Sequence, residues 1–381
     1  MNDIYIVAGA RTPFGKYRGG LRQCSALMLG QTALSGMLKQ VSLAASQVDA
    51  VFLGNVLSAG LGQNLARQVA LASGLSVSSQ AVTINEVCGS SLKALRLAEA
   101  QMRLGDAGLV AVGGAESMTQ APEIQLAEAA DRAPVATMMQ DGLRDAFSQE
   151  LMGITAEKVA ERYQVSRAEM DEFACRSQQK AAAAWRSGFF NSQVIPTAGL
   201  DHDEGLRPET NVARLSQLKP IFQPVGQVTA GNASPVSDGA AMLLLATPQR
   251  AAAADLAPLG VLGAYAEVGG DPNYMGYAPY HAIKALLRKT GQTLADYDWI
   301  EVNEAFAAPC VAIRRDLDLP ADRLNPVGGA IALGHPLAAS GARLVLNALA
   351  GLKQVGGRRA LVSLCIGGGL AIAYEIKRVV A

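Results

Sequence analysis

The sequence predicts an α/β protein in which helices cover a mostly parallel sheet, and three observations carry this prediction. Short apolar runs of strand type alternate with longer segments of helical periodicity, the pattern of a mostly parallel sheet. Half of the 381 residues are hydrophobic but only 5% are aromatic, a composition that suits close packing of helices on strands. Two distant segments also repeat one order of elements. A chain of this length exceeds the usual size of one domain, so at least two structural units are expected.

The first elements follow from the spacing of apolar residues. Residues 4–8 and 50–53 are short β-type runs, and residues 28–39 carry apolar side chains at helical spacing. Period-2 and period-3.6 patterns place the apolar side chains of a strand or a helix on one face. We therefore predict two strands with a helix between them.

Residues 88–117 and 334–369 look like two copies of one unit. Each reads as a turn, a helix, a glycine stop, a strand and a run of glycines, with the strands at 108–112 and 360–364. In the first copy, Gly113 and Gly114 are predicted to follow the end of the strand. This duplication divides the chain into an N-terminal half, residues 1–255, and a C-terminal half, residues 256–381.

The stretch of about 118–244 has a different character and is predicted to be an insertion. It contains a Pro-rich and charged piece at 196–224 and a helix at about 166–187. Insertions beside a rigid sheet commonly form ligand-binding caps. We therefore expect the insertion to bind a substrate.

Charge and cysteine usage exclude several classes of function. Thirty-three basic residues balance thirty-three acidic ones, so neither nucleic acid nor an anionic membrane is an expected partner. No apolar run is long enough for a membrane span and the N-terminus does not resemble a signal peptide, which favours a cytoplasmic protein. Five scattered cysteines and three histidines, without CxxC or HxxxH spacing, predict neither disulfides nor a metal site.

Cys88 is the first candidate for chemistry. It follows a predicted strand at 81–85 and precedes a helix that starts near Ser90. Free N–H groups and the positive end of the helix dipole favour a thiolate at such a position, and they can bind an oxyanion. A buried cysteine that acts as a small hydrophobe is an equally good interpretation of this segment alone.

His335 is the best candidate for a general base. It lies between Gly334 and Pro336, in a loop that would direct its side chain into a cavity, and its ordinary pKa suits proton transfer from a thiol. His202 lies among acidic residues and is expected at the surface. His281 begins a helix and is expected to pack or cap.

Two further segments are weak when taken singly. Cys365 closes an apolar strand and meets the glycines 367–369, which indicates a core cysteine, although the glycines would let N–H groups converge on a ligand oxygen. A thiol there could move a proton on and off a substrate carbon. Asn303 and Phe306 follow a strand-like segment at 299–302; the first could hold a water or a carbonyl oxygen, and the second could form a pocket wall.

Together, these segments resemble the thiolase family in chain order and approximate spacing. Segments 8–15, 113–118, 152–157 and 228–234 are also similar, so the resemblance covers essentially the whole chain. It implies a duplicated αβαβα layered fold, with two mixed sheets, a shared central helical layer and a loop-domain insertion.

The resemblance also implies a role for each reactive residue. In this family the cysteine matching Cys88 takes an acyl group from an acyl-CoA, and the histidine matching His335 activates it. The cysteine matching Cys365 removes a proton from the α-carbon of a second acyl-CoA, which then condenses with the acyl-enzyme. One oxyanion site would consist of His335 and a water held by Asn303, and another of the backbone N–H groups of Cys88 and Gly367.

Further positions match the substrate contacts of the family. The pantetheine would meet Ser234 and the nucleotide end would lie near Arg207, although Arg207 also reads as a surface arginine beside Pro208. The remaining matches line the pantetheine channel or close the acyl end in short-chain members; they are Leu143 and Phe222 for the channel, and Met152, Met275 and Phe306 for the acyl end.

The function implied is that of an acetyl-CoA C-acetyltransferase serving a pathway such as mevalonate synthesis. Its substrates would be acetyl-CoA, acetoacetyl-CoA and CoA, without a cofactor, in a homodimer or homotetramer. The chain departs from the biosynthetic pattern at Glu123 and Leu151, where histidine is usual, at Ser91 and Ala338, where glycine is common, and in a short 197–205 segment.

Three alternatives remain. A degradative 3-ketoacyl-CoA thiolase would accept longer chains. A ketosynthase-like condensing enzyme would lack the second thiol, so Cys365 argues against it. A non-catalytic thiolase-like lipid carrier would be expected to lose one of the reactive residues.

Overall fold

The computed structural model describes residues 3–125, 127 and 133–379, and its elements confirm the α/β class. The strands are β1 (Tyr5–Arg11), β2 (Gly15–Lys16), β3 (Ala50–Gly54), β4 (Gln80–Ile84), β5 (Leu109–Ser117), β6 (Glu123–Ile124), β7 (Val135–Ala136), β8 (Ser237–Ala246), β9 (Gly260–Gly269), β10 (Trp299–Val302), β11 (Arg359–Ile366) and β12 (Leu370–Lys377). The α-helices are α1 (Ala26–Gln40), α2 (Leu65–Ala72), α3 (Ser90–Leu104), α4 (Met152–Arg162), α5 (Arg167–Arg186), α6 (Val212–Leu215), α7 (Pro248–Ala253), α8 (Ala278–Thr290), α9 (Ala307–Asp316), α10 (Ala330–Leu333) and α11 (Ser340–Val355).

One mixed sheet runs through both halves of the chain. Its strand order is β10-β11-β12-β9-β1-β8-β5-β3-β4, and β2 pairs with β8. Strands β3, β4 and β5 are parallel, as are β10 and β11, whereas β8, β9 and β12 pair antiparallel with their neighbours. The two mixed sheets implied by the resemblance are thus hydrogen-bonded to each other, because Tyr5 and Ile6 of β1 pair with Val261 and Gly260.

Helices α3 and α11 form the central layer. Apolar residues of both helices pack in one cluster with strands from both halves. The two helices approach closely at Gly341, where an added Cβ would lie 2.7 Å from Cγ of Leu92. Ser91, which stands where the family commonly has glycine, fits this contact because its hydroxyl accepts a hydrogen bond from the N–H of Ala342 at 3.0 Å.

Other helices cover the outer faces of the sheet. Helices α1 and α2 pack with β1, β3, β5 and β8 in a second apolar cluster. Helices α8 and α9 pack with β10, β11 and β12 in a third cluster, together with α4 and α5 from the insertion. This layering surrounds the ends of β5 and β11 with packed helices.

The predicted ends of two elements were wrong. Strand β5 continues through Gly113 and Gly114, where added Cβ atoms would lie 2.0 Å from the backbone oxygens of Ala241 and Ala338. These glycines permit close approach of neighbouring backbones rather than ending the strand. The insertion was predicted to reach about residue 244, but Ser237–Ala246 is a fully buried strand of the main sheet.

The other elements predicted from the sequence are confirmed to within a few residues. Helices α3 and α11 end at Gly105 and Gly356, both with positive φ, as expected for glycine after a helix C-terminus. The division of the chain at residues 255 and 256 stays a prediction. Among the described residues, no helix is long and apolar enough to cross a membrane.

Candidate active site

The three reactive side chains predicted from the sequence converge on one cavity. Cys88, His335, Cys365 and Gly367 line a space of about 370 Å³. Cys88 stands at the N-terminus of α3, His335 follows α10, and Cys365 lies near the end of β11. Segments from both halves of the chain therefore place two thiols and an imidazole around one volume.

The turn that carries Cys88 is tightly constrained. Val87, the residue before it, has a φ of 48°, a left-handed conformation that costs energy for a β-branched side chain. An added Cβ on Gly89 would lie 2.4 Å from Cδ1 of Ile366. Glycine at this position lets the turn pack closely against the end of β11, and Cys88 and Gly367 line the same cavity.

Burial favours the neutral thiol of Cys88, whereas the N–H groups at the helix N-terminus favour a thiolate. Burial raises the pKa of Cys88, and Cys365 and Glu116 raise it further. The backbone N–H groups of Cys88 and Gly367 interact with the sulfur and lower the pKa only partly. Loss of solvation therefore outweighs the favourable N–H groups.

His335 is held by hydrogen bonds on three sides. Its Nδ1 lies 2.5 Å from the hydroxyl oxygen of Ser340, its Nε2 lies 3.4 Å from Nδ2 of Asn303, and its backbone N–H donates to the hydroxyl of Ser237 at 3.1 Å. Burial and the nearby Arg343 lower the pKa of His335 to about 3. The imidazole is therefore neutral near pH 7 and able to accept a proton.

Asn303 lies behind the imidazole rather than in the cavity wall. It is buried, it contacts His335, and its Oδ1 accepts a hydrogen bond from Arg343 at 2.9 Å. It is not among the described residues that line the cavity. Its side chain is thus placed to act on His335 directly.

Cys365 sits in the apolar end of the cavity. It packs in one cluster with Met275 and Ala305, and Met152 and Phe306 pack against that cluster. Burial raises the pKa of Cys365 to about 11. The second thiol is therefore also protonated at rest.

The predicted substrate contacts all line the same cavity as the reactive residues. Phe222 and Phe306 meet edge to face with ring centroids 6.1 Å apart, and Ser234 is held by its N–H, which donates to the carbonyl oxygen of Ala305 at 3.0 Å. Arg207 reaches the cavity and a neighbouring groove lined by residues 208–210. The full predicted set consists of Leu143, Met152, Arg207, Phe222, Ser234, Met275 and Phe306.

Some wall residues and their supports were missed in the sequence. Ile221 and Leu337 extend the apolar wall of the cavity, next to Leu151, whose departure from the usual histidine was noted in the sequence. Behind the wall, Arg343 and Glu301 form a fully buried ion pair with N and O 3.3 Å apart. A charged residue within the apolar sequence of α11 was the one available signal, since buried charges need partners.

Glu116 is another support that sequence reasoning missed. Its carboxylate accepts hydrogen bonds from the N–H groups of Val56, Leu57 and Ala338 at 3.0–3.2 Å. It thereby joins the end of β5 to the loop that follows His335. Burial raises the pKa of Glu116 to about 7.

The other two histidines and the other three cysteines lie in ordinary surroundings. His202 is exposed and contacts Asp201 at 2.7 Å, and His281 meets Tyr277 and Tyr280 edge to face on α8. All five cysteines are free. Within residues 3–125, 127 and 133–379, no cluster of side chains suited to a metal ion occurs.

Comparison with known proteins identifies a family over nearly the full chain. Residues 4–249 match the thiolase N-terminal domain, and residues 256–378 match the thiolase C-terminal domain. An acetyl-CoA acetyltransferase of Pseudomonas aeruginosa is 44% identical over 99% of this chain and all of its own length. A probable acetyl-CoA acyltransferase of Staphylococcus aureus is 42% identical with the same coverage.

A solved structure agrees with these matches. The crystal structure of human mitochondrial 3-ketoacyl-CoA thiolase in complex with CoA superposes with a TM-score of 0.96 at 37% identity. The match covers 100% of this chain and 98% of the human one. The similarity therefore includes both halves and the insertion.

Proposed function

This chain belongs to the thiolase family and is an acyltransferase, and on that premise we propose that it is an acetyl-CoA C-acetyltransferase. It condenses two molecules of acetyl-CoA to acetoacetyl-CoA and CoA, and it catalyses the reverse thiolysis. One observation carries the proposal: two thiols and a neutral imidazole share a cavity with an apolar end. The name of the Pseudomonas relative supports acetyl-CoA as the substrate.

The first half-reaction acetylates Cys88. The sulfur attacks the thioester carbonyl of acetyl-CoA while its proton passes to Nε2 of His335, which is neutral and therefore able to accept it. The bond between the carbonyl carbon and the CoA sulfur breaks, and the departing CoA thiolate takes that proton. Acetyl-Cys88 and free CoA result, and His335 is neutral again.

The second half-reaction forms the new carbon–carbon bond. Because Cys365 is a thiol at rest, it first gives its proton to His335 and then accepts a proton from the methyl carbon of a second acetyl-CoA. The resulting carbanion attacks the carbonyl of acetyl-Cys88. Collapse of that adduct releases acetoacetyl-CoA, and the proton on His335 returns to the sulfur of Cys88.

Each half-reaction develops negative charge on a carbonyl oxygen. The N–H groups of Cys88 and Gly367 converge at the sulfur of Cys88, which supports an oxyanion site for the acetyl-enzyme. His335, held by Asn303, would stabilise the enolate oxygen of the second substrate. Each such donor contributes about 100- to 1000-fold to the rate.

A thiolase acting on longer 3-ketoacyl chains is the second candidate, and the match to the human 3-ketoacyl-CoA thiolase favours it. The packing of Met152, Met275 and Phe306 around Cys365 favours the short-chain enzyme instead, because it fills the space that a longer chain would need. Activity on acetoacetyl-CoA against a longer 3-ketoacyl-CoA separates the two.

The other assignments remain predictions of this proposal. The presence of Cys365 in the cavity argues against a ketosynthase-like enzyme, and the presence of Cys88, His335 and Cys365 together with Asn303 argues against a lipid carrier. A homodimer or homotetramer, a cytoplasmic location and a place in a pathway such as mevalonate synthesis are expected.

The test is CoA-dependent cleavage of acetoacetyl-CoA, followed by loss of the 3-ketoacyl absorbance. The wild-type protein should cleave it, and Cys88→Ala and Cys365→Ala should not. Cys24→Ala is the matched control, because Cys24 is a buried cysteine in a separate apolar cluster, and it should retain activity. A folded wild type that cleaves only longer 3-ketoacyl-CoAs would overturn the short-chain assignment.

A further inference from the structure

The first turn of α11 carries two polar side chains that act on opposite sides of the His335 ring. Ser340 contacts Nδ1 directly, and Arg343, one turn later, reaches Nε2 through Asn303. Ser340 and Arg343 are both fully buried, although their helix is otherwise mostly apolar. Buried polar groups are costly unless every donor and acceptor has a partner, so their partners are informative.

The hydroxyl of Ser340 determines whether Nδ1 of His335 carries a proton. Its single hydrogen is donated to the carbonyl oxygen of Pro336 at 2.9 Å. The oxygen is then left as an acceptor, and the Nδ1 of His335 lies 2.5 Å from it. With the hydroxyl donating to Pro336, Nδ1 is the donor in this contact, and in a neutral ring Nε2 has the lone pair.

Arg343 defines the orientation of the Asn303 amide. A guanidinium can only donate, so the oxygen of the amide must face Nη2 of Arg343, at 2.9 Å. The amide NH₂ then faces Nε2 of His335 at 3.4 Å. A flipped amide would present its oxygen to Nε2 and favour the tautomer that is protonated there.

Glu301 keeps the guanidinium in place. One oxygen of its carboxylate pairs with Nη1 of Arg343 at 3.3 Å, and the other accepts from Nε1 of Trp299 at 2.9 Å. The chain Trp299–Glu301–Arg343–Asn303 therefore ends on the imidazole. Each hydrogen bond in this chain has a defined donor and acceptor, so the chain fixes one orientation of the Asn303 amide beside the imidazole.

We propose that Ser340 and Arg343 are positioning residues that together hold His335 in the tautomer with its proton on Nδ1. Nε2, which accepts a hydrogen bond from the Asn303 amide, is then the unprotonated ring nitrogen, and taking the proton of Cys88 is the role assigned to it in the proposed function, on which this inference rests. Burial and, second to it, the positive charge of Arg343 lower the pKa of His335, so Arg343 affects both the tautomer and the charge state of the ring.

The tautomer can be read directly by NMR of protein labelled with ¹⁵N-histidine. The chain has only three histidines, and the signals of His335 are identified by their loss in His335→Gln. We compare Ser340→Ala with Arg343→Met/Glu301→Gln, which removes both charges so that no lone carboxylate remains buried. Ser363→Ala is the matched control, because its buried hydroxyl donates to the backbone oxygen of Ile372.

In the wild type and in Ser363→Ala, we expect His335 to be protonated on Nδ1 only. In Ser340→Ala and in the double variant, the Nε2-protonated form should appear, and kcat for acetoacetyl-CoA cleavage should fall at least about tenfold with KM within about threefold. Arg343→Lys, which keeps the charge and a donor to Asn303, should keep the wild-type tautomer.

An unchanged His335 spectrum in Ser340→Ala and in the Arg343 variant would overturn the inference, even if activity were lost. If the double variant fails to fold, Ser340→Ala and Arg343→Lys still test the inference. An altered His335 tautomer in Arg343→Lys, or an unaltered one in Ser340→Ala, would contradict it. The NMR measurement needs no substrate. A wild-type protein without thiolase activity would therefore refute the proposed function, but the tautomer could still be measured.

Discussion

The ionisation of the resting cavity leads to a specific kinetic prediction. Cys88 has its pKa raised by burial, by Cys365 and by Glu116, while His335 has its pKa lowered to about 3. At every pH between about 5 and 9, the resting pair should thus be a neutral thiol beside a neutral imidazole. A thiolate–imidazolium ion pair, as found in other cysteine nucleophiles, should be absent.

The expected magnitude follows from the fraction of thiolate. Even an unperturbed thiol of pKa 9.0 is only about 1% thiolate at pH 7, and below its pKa that fraction rises about tenfold per pH unit. Alkylation of Cys88 should therefore accelerate about 100-fold from pH 6 to pH 8. Glu116, whose pKa is raised to about 7, adds negative charge across this range, so the slope should fall somewhat below tenfold near pH 7.

The assay is the rate of iodoacetamide modification at Cys88, read by peptide mass spectrometry in the Cys365→Ala background so that one cavity thiol remains. His335→Asn is the informative control. Since the imidazole carries no charge at rest, its removal should leave the slope against pH unchanged. If it instead formed an ion pair, its removal would slow alkylation strongly at pH 6.

A rate constant that stays flat from pH 6 to pH 8 would refute this reasoning. Such a result would mean that the N–H groups of Cys88 and Gly367 outweigh the loss of solvation, and that the expectation from the helix N-terminus was right after all.

Three further predictions concern the supports of the site. Arg11 and Asp203 form a fully buried pair at 2.7 Å, so Arg11→Met should lower the free energy of unfolding by about 3–5 kcal/mol in urea, and adding Asp203→Leu should recover most of that loss. In Gly153→Ala the new Cβ would lie 2.2 Å from the ring of Phe222. Steady-state kinetics should show that KM for CoA rises about tenfold, equivalent to about 1.4 kcal/mol, while kcat is nearly unchanged. An unchanged KM would contradict the proposed channel wall. The pKa of Glu116 is raised from 4.5 to about 7, so its contribution to stability is greatest below pH 4.5 and is lost as the pH rises through 7. Relative to Glu116→Gln, the wild type should lose about 3 kcal/mol between pH 4.5 and pH 8 in urea unfolding, and a constant difference would mean that the carboxyl is not desolvated.

The sequence by itself determined the features that depend on neighbouring residues. The periodicity of apolar residues predicted α1, β1 and β3, and the glycine after each helix predicted the ends of α3 and α11. The settings of Cys88, His335 and Cys365 between glycines and element ends indicated three reactive positions, because turn and cap geometry is a local property of the chain. Together these motifs were enough to identify the family.

Only the tertiary structure decided what depends on contacts between distant segments. Gly113 and Gly114 read as a strand end, yet they lie inside β5 because other backbones approach them. The helix N-terminus predicted N–H groups that favour a thiolate at Cys88, but the larger, opposing desolvation by chain-distant neighbours cannot be read from that local pattern. The role of Arg343 likewise follows only from its contacts with Asn303 and Glu301. Hydrogen-bond partners and burial set the charge state and orientation of a side chain, and both are supplied by the folded molecule as a whole.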